Sequence, residues 1–271
     1  LDRDVKKRLS HCQTSQKHPI FCADVTLQHN CPQTMNYLDL TLPTPEENLA
    51  LDEALLDWCE QTGSNEVLRF WESTKHFVVV GYGNRLCQEV NLETCHERNI
   101  PVLRRCSGGG TVLQGPGCLN YSLLLNMHSH DALQTIPETN RYVMERQRAA
   151  LIPLLGATLA VQGHTDLTIG PLKFSGNAQR RKRRCLIFHG TLLLHFDLSL
   201  IDTLLKMPPL EPDYRKKRPH SEFVTNLNRS SEEIKAALQS HWSASAPLKE
   251  IPCVKRLVME KYARTDWNYR Y

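Results

Sequence analysis

Arg104 and Arg105 run straight into Cys106-Ser107-Gly108-Gly109-Gly110-Thr111, and the chain then re-enters a β-like run at Val112. Glycine has no Cβ and tolerates φ > 0, so a ligand can lie directly against such a turn. Successive backbone N–H groups exposed there can hold an anion, and arginine charge beside them strengthens the hold. A plain tight turn between two strands would use the same glycines. The turn gains chemical meaning from a second cluster, Pro171-Leu172-Lys173-Phe174-Ser175-Gly176-Asn177-Ala178-Gln179-Arg180, followed by Phe188-His189-Gly190-Thr191-Leu192-Leu193. It adds an ammonium and an imidazole. An ammonium beside carbonyl or phosphate oxygens stabilises charge that grows there in a transition state.

Composition bounds what these residues can belong to. A chain of 271 residues with 41% hydrophobic content can bury a core as one large domain or two small ones. Thirty-three Lys+Arg against 29 Asp+Glu is too small an excess to argue for a nucleic-acid protein. No apolar run approaches the ~20 residues of a membrane span. The charged start, Leu1-Asp2-Arg3-Asp4-Val5-Lys6-Lys7-Arg8, lacks the apolar segment of a signal peptide. The expected location is cytoplasmic, with no membrane partner. The 10 cysteines include no Cys-x-x-Cys pair, which argues against a zinc site, and a reducing compartment argues against disulfides. Most of these thiols read as small buried hydrophobes. Two basic runs, Arg180–Arg184 and Arg215–Arg218, read as solvated loop tips, or as groups that close over phosphates or attract an acidic partner. No interleaved aromatics support nucleic acid.

The elements that must position the clusters follow from pattern and punctuation. Residues 1–35 form a polar N-terminal extension with little periodicity. Residues 44–61 predict a helix, with Thr44 as cap, Pro45 in the first turn, Glu47 completing a capping box and Gly63 as the stop. Strands are expected at 67–71 and 77–81 with a turn between them, and at 102–105, 111–114 and 119–125 around the glycine turn. A short helix at 92–97 and a long one at 138–155 are expected, then strands at 157–162 and 167–169. Residues 172–179 should pair with 187–195. Helices near 199–206, 231–242 and 253–263 complete the chain. Strands and helices without regular βαβ alternation predict an α+β fold.

Taken in order, Arg104-Arg105-x-Ser107-Gly108-Gly109-Gly110, Lys173-x-Ser175-Gly176-x-Ala178 and His189-Gly190-Thr191-Leu192-Leu193 resemble the motifs of the lipoate–protein ligases and their relatives, the octanoyl and lipoyl transferases. Arg69-Phe70-Trp71-Glu72 with Val78–Asn84 is similar to that family's first strand pair, and Tyr262–Tyr269 to the end of its catalytic domain. The resemblance covers residues 36–271 and implies a biotin/lipoate-ligase-like catalytic domain, a mixed β-sheet flanked by helices, with no C-terminal accessory domain. It implies attachment of lipoate or octanoate to a lysine of a lipoyl carrier domain, either the E2 component of a 2-oxoacid dehydrogenase or a glycine-cleavage H-type protein. ATP and Mg²⁺ would supply an acyl-adenylate, and a separate accessory-domain protein is an implied partner. By the same resemblance Lys173 is the catalytic group. Arg105, Ser107, Gly108, Gly109, Gly110, Thr111, Ser175, Gly176, His189 and Gly190 line the substrate site, and Asp166 helps hold the nucleotide and its metal. Strand alternation puts Arg104 and Arg105 on opposite faces, so one of them is structural.

Three departures keep other readings open. His164 and Thr165 stand before Asp166 where the family carries Arg-Asn. Leu113-Gln114-Gly115-Pro116-Gly117 stands where ligases carry His-Asp, and its last three residues are closer to the octanoyltransferase branch. That branch takes its acyl group from a carrier thioester through a cysteine, without ATP. Cys185, beside Arg183 and Arg184, is the candidate nucleophile. It lies four residues before His189 where that branch uses three, and a one-residue offset on a strand reverses the face. A third reading, from another class, is a non-catalytic binder of a carrier domain or nucleic acid.

Overall fold

A computed structural model describes residues 35–63 and 66–271 of the chain. The extension expected over residues 1–35 lies outside the described residues except for Met35, which opens the first strand.

Helix α1 (Pro45–Thr62) forms where its punctuation demands. Thr44 is extended at φ −120°, its hydroxyl accepts the Glu47 N–H, and the Glu47 carboxylate accepts from the Thr44 N–H. Gly63, at φ 70°, supplies the left-handed stop. Two sheets follow. The larger is built from β1 (Met35–Asp39), β2 (Val67–Glu72), β6 (Cys118–Asn126), β7 (Leu159–Gln162), β8 (Asp166–Ile169), β9 (Leu172–Arg181), β10 (Cys185–Leu193) and β11 (Ala244–Pro247). Its order is β11-β1-β2-β6-β10-β9-β8-β7, with β1 parallel to both neighbours and the remaining pairs antiparallel. The smaller sheet is β4 (Val102–Arg104), β3 (Phe77–Val80) and β5 (Val112–Gln114), with β3 in the middle. The fold is therefore the expected mixed sheet flanked by helices.

Some elements depart from the expectation. β2 and β3 are both present, but they enter different sheets instead of pairing. β1 and β11 give no strand pattern. β11 reads Ala-Ser-Ala-Pro and is tolerated because it sits at the sheet edge and pairs on one side only. The helix expected at 253–263 is a turn at Lys255–Leu257 that widens into a π turn at Val258–Tyr262.

Alternation along the central strands divides the core. Leu186, Phe188 and Leu192 of β10, with Leu119, Tyr121, Leu123 and Leu125 of β6, pack under α4 (Ile136–Leu155) and α7 (Ser231–His241). Cys185, Ile187 and Leu124 face the other way, against Leu51, Leu55, Leu56 and Cys59 of α1. That second face turns polar toward one end, where Arg69 of β2 is completely buried. Arg69 Nη1 donates to Asn48 O at 2.9 Å and to Asp52 Oδ1 at 2.5 Å, and Nη2 donates to Asn48 Oδ1 at 2.9 Å. α1 is thus docked to the sheet by packing at one end and by a buried ion pair at the other.

Burial pushes the Asp52 carboxyl up, but the charge of Arg69, with His189 and Ser122, outweighs it, and the net position is below the ordinary 3.8. A depressed carboxyl contributes stability above its unfolded pKa and loses that contribution as pH falls through the folded value. Arg69→Ala leaves a buried carboxylate unpaired and should cost about 3–5 kcal/mol in urea unfolding at neutral pH. The deficit should narrow at acid pH, where Asp52 is protonated. A deficit unchanged by acidification would show that Arg69 contributes by packing alone.

Candidate active site

A cavity of about 910 Å³ opens between the glycine turn, β9, β10, α1 and the segment from Lys206 to Arg215. That is the upper end of the range for small-molecule sites, roughly 300–1,000 Å³. One part of the wall is apolar, formed by Leu49, Trp71, Val79, Val112 and Leu113. The opposite part carries the charged groups.

Lys173 Nζ lies 2.8 Å from Asp166 Oδ1, with the lysine side chain 27% exposed. The pairing of β8 with β9 shifts register between Leu167 and Thr168. Such an irregularity re-aims side chains at the rim of a site. Tyr214 Oη donates to Asp166 Oδ2 at 2.7 Å, so the carboxylate is held from two sides. Burial, and then the Asp166 charge, raise the Tyr214 phenol well above its usual range, which keeps it a donor. Gly176 lies close to this pair: a Cβ there would meet Lys173 Nζ at 3.0 Å and push the ammonium aside.

The glycine turn is strung from Arg105. Its Nε donates to Ser107 Oγ at 3.1 Å, and its Nη2 donates to Gly108 O at 2.5 Å and Gly110 O at 2.7 Å. Burial brings the Arg105 pKa down to about 10, which still leaves it charged at neutral pH. Gly109 sits at φ +84°, and a Cβ on it would press on Arg105 Nη2 and Ala178 Cβ. Arg104 is also buried, but it donates to Gly81 O, Tyr82 O and Asn84 O and so braces a neighbouring loop. Trp267 and Asn268 bond its backbone, so the C-terminal motif props the strand that leads into the turn.

From the glycine turn a chain of buried hydrogen bonds runs to α1. Ser107 Oγ lies 2.6 Å from His189 Nε2, and His189 Nδ1 lies 3.2 Å from Asp52 Oδ2. Ser122 Oγ donates to the same carboxylate oxygen at 2.9 Å. The arrangement suits one tautomer of His189, with Nδ1–H donating to Asp52 and Nε2 accepting from the serine hydroxyl. Hydroxyl, imidazole and carboxylate in this order can accept and pass a proton.

Of the residues singled out by sequence, Arg105, Gly109, Gly110, Thr111, Asp166, Lys173, Ser175, Gly176, His189 and Gly190 line the cavity. Ser107 stands behind His189, and Gly108 flanks it at the surface. Cys185 does not reach the cavity: it shares the α1 face with His189, but its side chain is fully buried beneath the end of the helix. The offset of four residues therefore leaves the face unchanged and moves the thiol along the strand, away from the wall. Among the described residues no cysteine lines the cavity. The first basic run forms the tip of the β9–β10 hairpin, and its members are largely committed. Arg180 donates to Cys106 O, Arg181 to Leu133 O and Gln134 O, and Lys182 pairs with Asp57. In the second run, Arg215 is buried and bonds Arg218 O.

Asp52, Asn177 and Tyr214 were missed. Asp52 carried a signal, since an acid on the apolar stripe of α1 needs a partner. Asn177 bonds Thr165 O and accepts from Tyr121 Oη, tying the Gly163–Asp166 loop to β9. Tyr214 comes from a stretch with no pattern. Among the described residues there is no group of three His, Cys, Asp or Glu side chains that could hold a metal ion, and no helix is long and apolar enough to cross a membrane.

Comparison with known proteins matches residues 44–241 to the family model of the lipoyl protein ligase A/B catalytic domain. An octanoyltransferase of Geobacillus kaustophilus is 25% identical over 276 residues, spanning 88% of this chain and 99% of the relative. A putative lipoate-protein ligase A of Aeropyrum pernix is 31% identical over 215 residues, 79% of this chain and 76% of that one. Among solved structures, the bi-partite lipoate protein ligase of Thermoplasma acidophilum superposes with a TM-score of 0.72 at 25% identity, covering 87% of this chain and 96% of that one. The three motifs, the mixed sheet that carries them and the family match agree: this chain belongs to the lipoyl protein ligase A/B catalytic-domain family and is an enzyme of the ligase and acyltransferase kind.

Proposed function

We propose that this enzyme attaches lipoate or octanoate to a lysine of a lipoyl carrier domain through an acyl-adenylate made from ATP. The observation that carries this reading is Lys173, held by Asp166 at the charged end of a cavity whose wall holds no cysteine among the described residues. Among the described residues a thioester relay through the enzyme has no thiol there to use. The apolar wall from Leu49 to Leu113 suits a medium-length acyl tail, with its carboxylate reaching toward the glycine turn. ATP would lie against Lys173 and the loop at Gly163–Asp166. Asp166 is the carboxylate that would share a magnesium ion with phosphate oxygens, and a single carboxylate plus phosphates is a normal magnesium set.

In the first step the acyl carboxylate oxygen bonds the α-phosphorus and pyrophosphate leaves with the bonding pair. In the second, the carrier amine bonds the acyl carbon, the carbon–oxygen bond to phosphate breaks, and AMP departs. Lys173 stabilises the negative charge on the oxygens in both steps. The amine loses a proton, and His189, which lines the wall, is the base that would take it on Nε2 once that nitrogen exchanges its bond to Ser107. Two relatives support a partner subunit: a lipoate-protein ligase A subunit 1 from Thermoplasma acidophilum and the bi-partite ligase structure reported with its E2 lipoyl domain. Transfer from an octanoyl carrier thioester without ATP is the second reading, supported by the octanoyltransferase relative that this chain matches over 99% of its length.

Intact-mass measurement of a lipoyl domain separates the two. With octanoate, ATP and Mg²⁺ the domain should gain one octanoyl group; with octanoyl-acyl carrier protein and no ATP it should stay unmodified, and the reverse pattern would overturn the ligase reading. Should neither reaction proceed, the same pair is repeated with a small accessory subunit added, and continued silence refutes acyl attachment. Lys173→Ala should lower the rate by roughly 10²–10³-fold, the loss expected when one preorganised charge donor is removed. Asp52→Asn keeps the side-chain size but removes the charge that pairs with Arg69 and orients His189, so it is assayed at a temperature where the variant is folded. It should lower kcat by roughly 10–100-fold with little change in KM and alter the pH–rate profile. A loss confined to KM would assign Asp52 to substrate binding instead.

A further inference from the structure

α1 ends where β10 begins. The Cys59 thiol, in the last turn of α1, lies 2.7 Å from the Cys185 thiol at the first residue of β10. Both side chains are fully buried, and the active site uses neither. The two sulfurs are closer than van der Waals contact, and not far beyond the ~2.05 Å of a disulfide bond. Polar contacts already hold the two backbones together. Glu60 Oε2 accepts from the N–H groups of Arg184 and Cys185 at 2.9 Å each, and Lys182 pairs with Asp57 one turn back on the helix. Bonding would shorten the 2.7 Å separation of the sulfurs to ~2.05 Å. Among the described residues no other two thiols lie within hydrogen-bond distance of each other.

We propose that Cys59 and Cys185 form a reversible intramolecular disulfide that staples the end of α1 to the start of β10. The oxidant is a small organic disulfide. Cys185 as thiolate bonds one sulfur of the oxidant, the oxidant's S–S bond breaks, and the first leaving thiolate takes up a proton. Cys59, deprotonated in turn, bonds the Cys185 sulfur and expels the second thiol. Two electrons and two protons pass from the cysteine pair to the oxidant. The hydrogen bond from Cys59 lowers the Cys185 pKa, which makes Cys185 the attacking sulfur. Access comes from position: both residues lie at element ends, where helical turns and hairpin tips open most readily. The staple bears on the two elements that carry the proton relay, since Asp52 lies two turns before Cys59 on α1 and His189 shares a strand face with Cys185.

The test uses the full chain and reads no acyl transfer, so it stands apart from the proposed activity. Protein equilibrated with oxidised glutathione is denatured, alkylated and peptide-mapped beside a sample kept under a dithiol reductant. The oxidised sample should give a Cys59–Cys185 cross-linked peptide and an intact mass lower by two hydrogens. Exposed Cys87 and Cys253 should instead carry glutathione, which shows that the oxidant was active. A bond closing a loop of 126 residues should raise Tm by roughly 5–15 °C. Cys59→Ser and Cys185→Ser should each abolish that shift. Where a serine variant fails to fold, the wild-type peptide map decides alone. Full alkylation of both cysteines after oxidation, or a cross-link to any other cysteine, refutes the staple.

Discussion

A guanidinium with no exposed surface must find its counter-charge inside the protein, and the site is arranged around how Arg69 does so. Taking two ions out of water costs several kcal/mol for each, and the cost is offset only where geometry is good and the remaining donors and acceptors are satisfied. Here α1 supplies Asn48 and Asp52 to two of the guanidinium nitrogens. The second Asp52 oxygen is then available to Ser122 and His189. His189 passes the constraint to Ser107, and Ser107 to Arg105, whose nitrogens hold two carbonyls of the glycine turn. One ion pair thus sets the helix on the sheet, the histidine tautomer and the shape of the turn.

The other side of the cavity is built differently. Lys173, Asp166 and Tyr214 meet across a strand irregularity and a long connection and are partly exposed. The relay side is buried and stiff, whereas the lysine side is solvated and able to exchange partners. That division suits a reaction in which one group keeps a fixed geometry for proton transfer while another must leave Asp166 to meet incoming oxygens.

Much of this was legible before any coordinates. The capping box at Thr44–Glu47 and the stop at Gly63 bound α1 to within a residue, because such signals act locally. The hairpin of β9 with β10 followed from apolar runs on both sides of a charged tip. Ten of the motif residues do face one cavity. The strand β11 was invisible because a sheet edge tolerates weak formers such as Ala-Ser-Ala-Pro, and β1 because five residues of Met-Asn-Tyr-Leu-Asp carry no alternation. Tyr214 was invisible because nothing in its neighbourhood repeats. Strand alternation put Arg104 and Arg105 on opposite faces; Arg104 braces the Gly81–Asn84 loop and Arg105 lines the cavity, and both are buried.

Determined by the sequence alone were most of the elements, the family resemblance and the candidate groups of the site, for these depend on local pattern and on residue type at fixed spacing. Partnership was decided by the tertiary structure. Asp52 and His189 lie 137 residues apart in the chain and Ser107 and His189 lie 82 apart, and no periodicity couples them. They meet because a buried arginine on β2 draws α1 across the sheet at one angle. The same docking carries the Cys185 thiol under the end of α1, against Cys59 and out of the cavity that its charged neighbours had suggested for it.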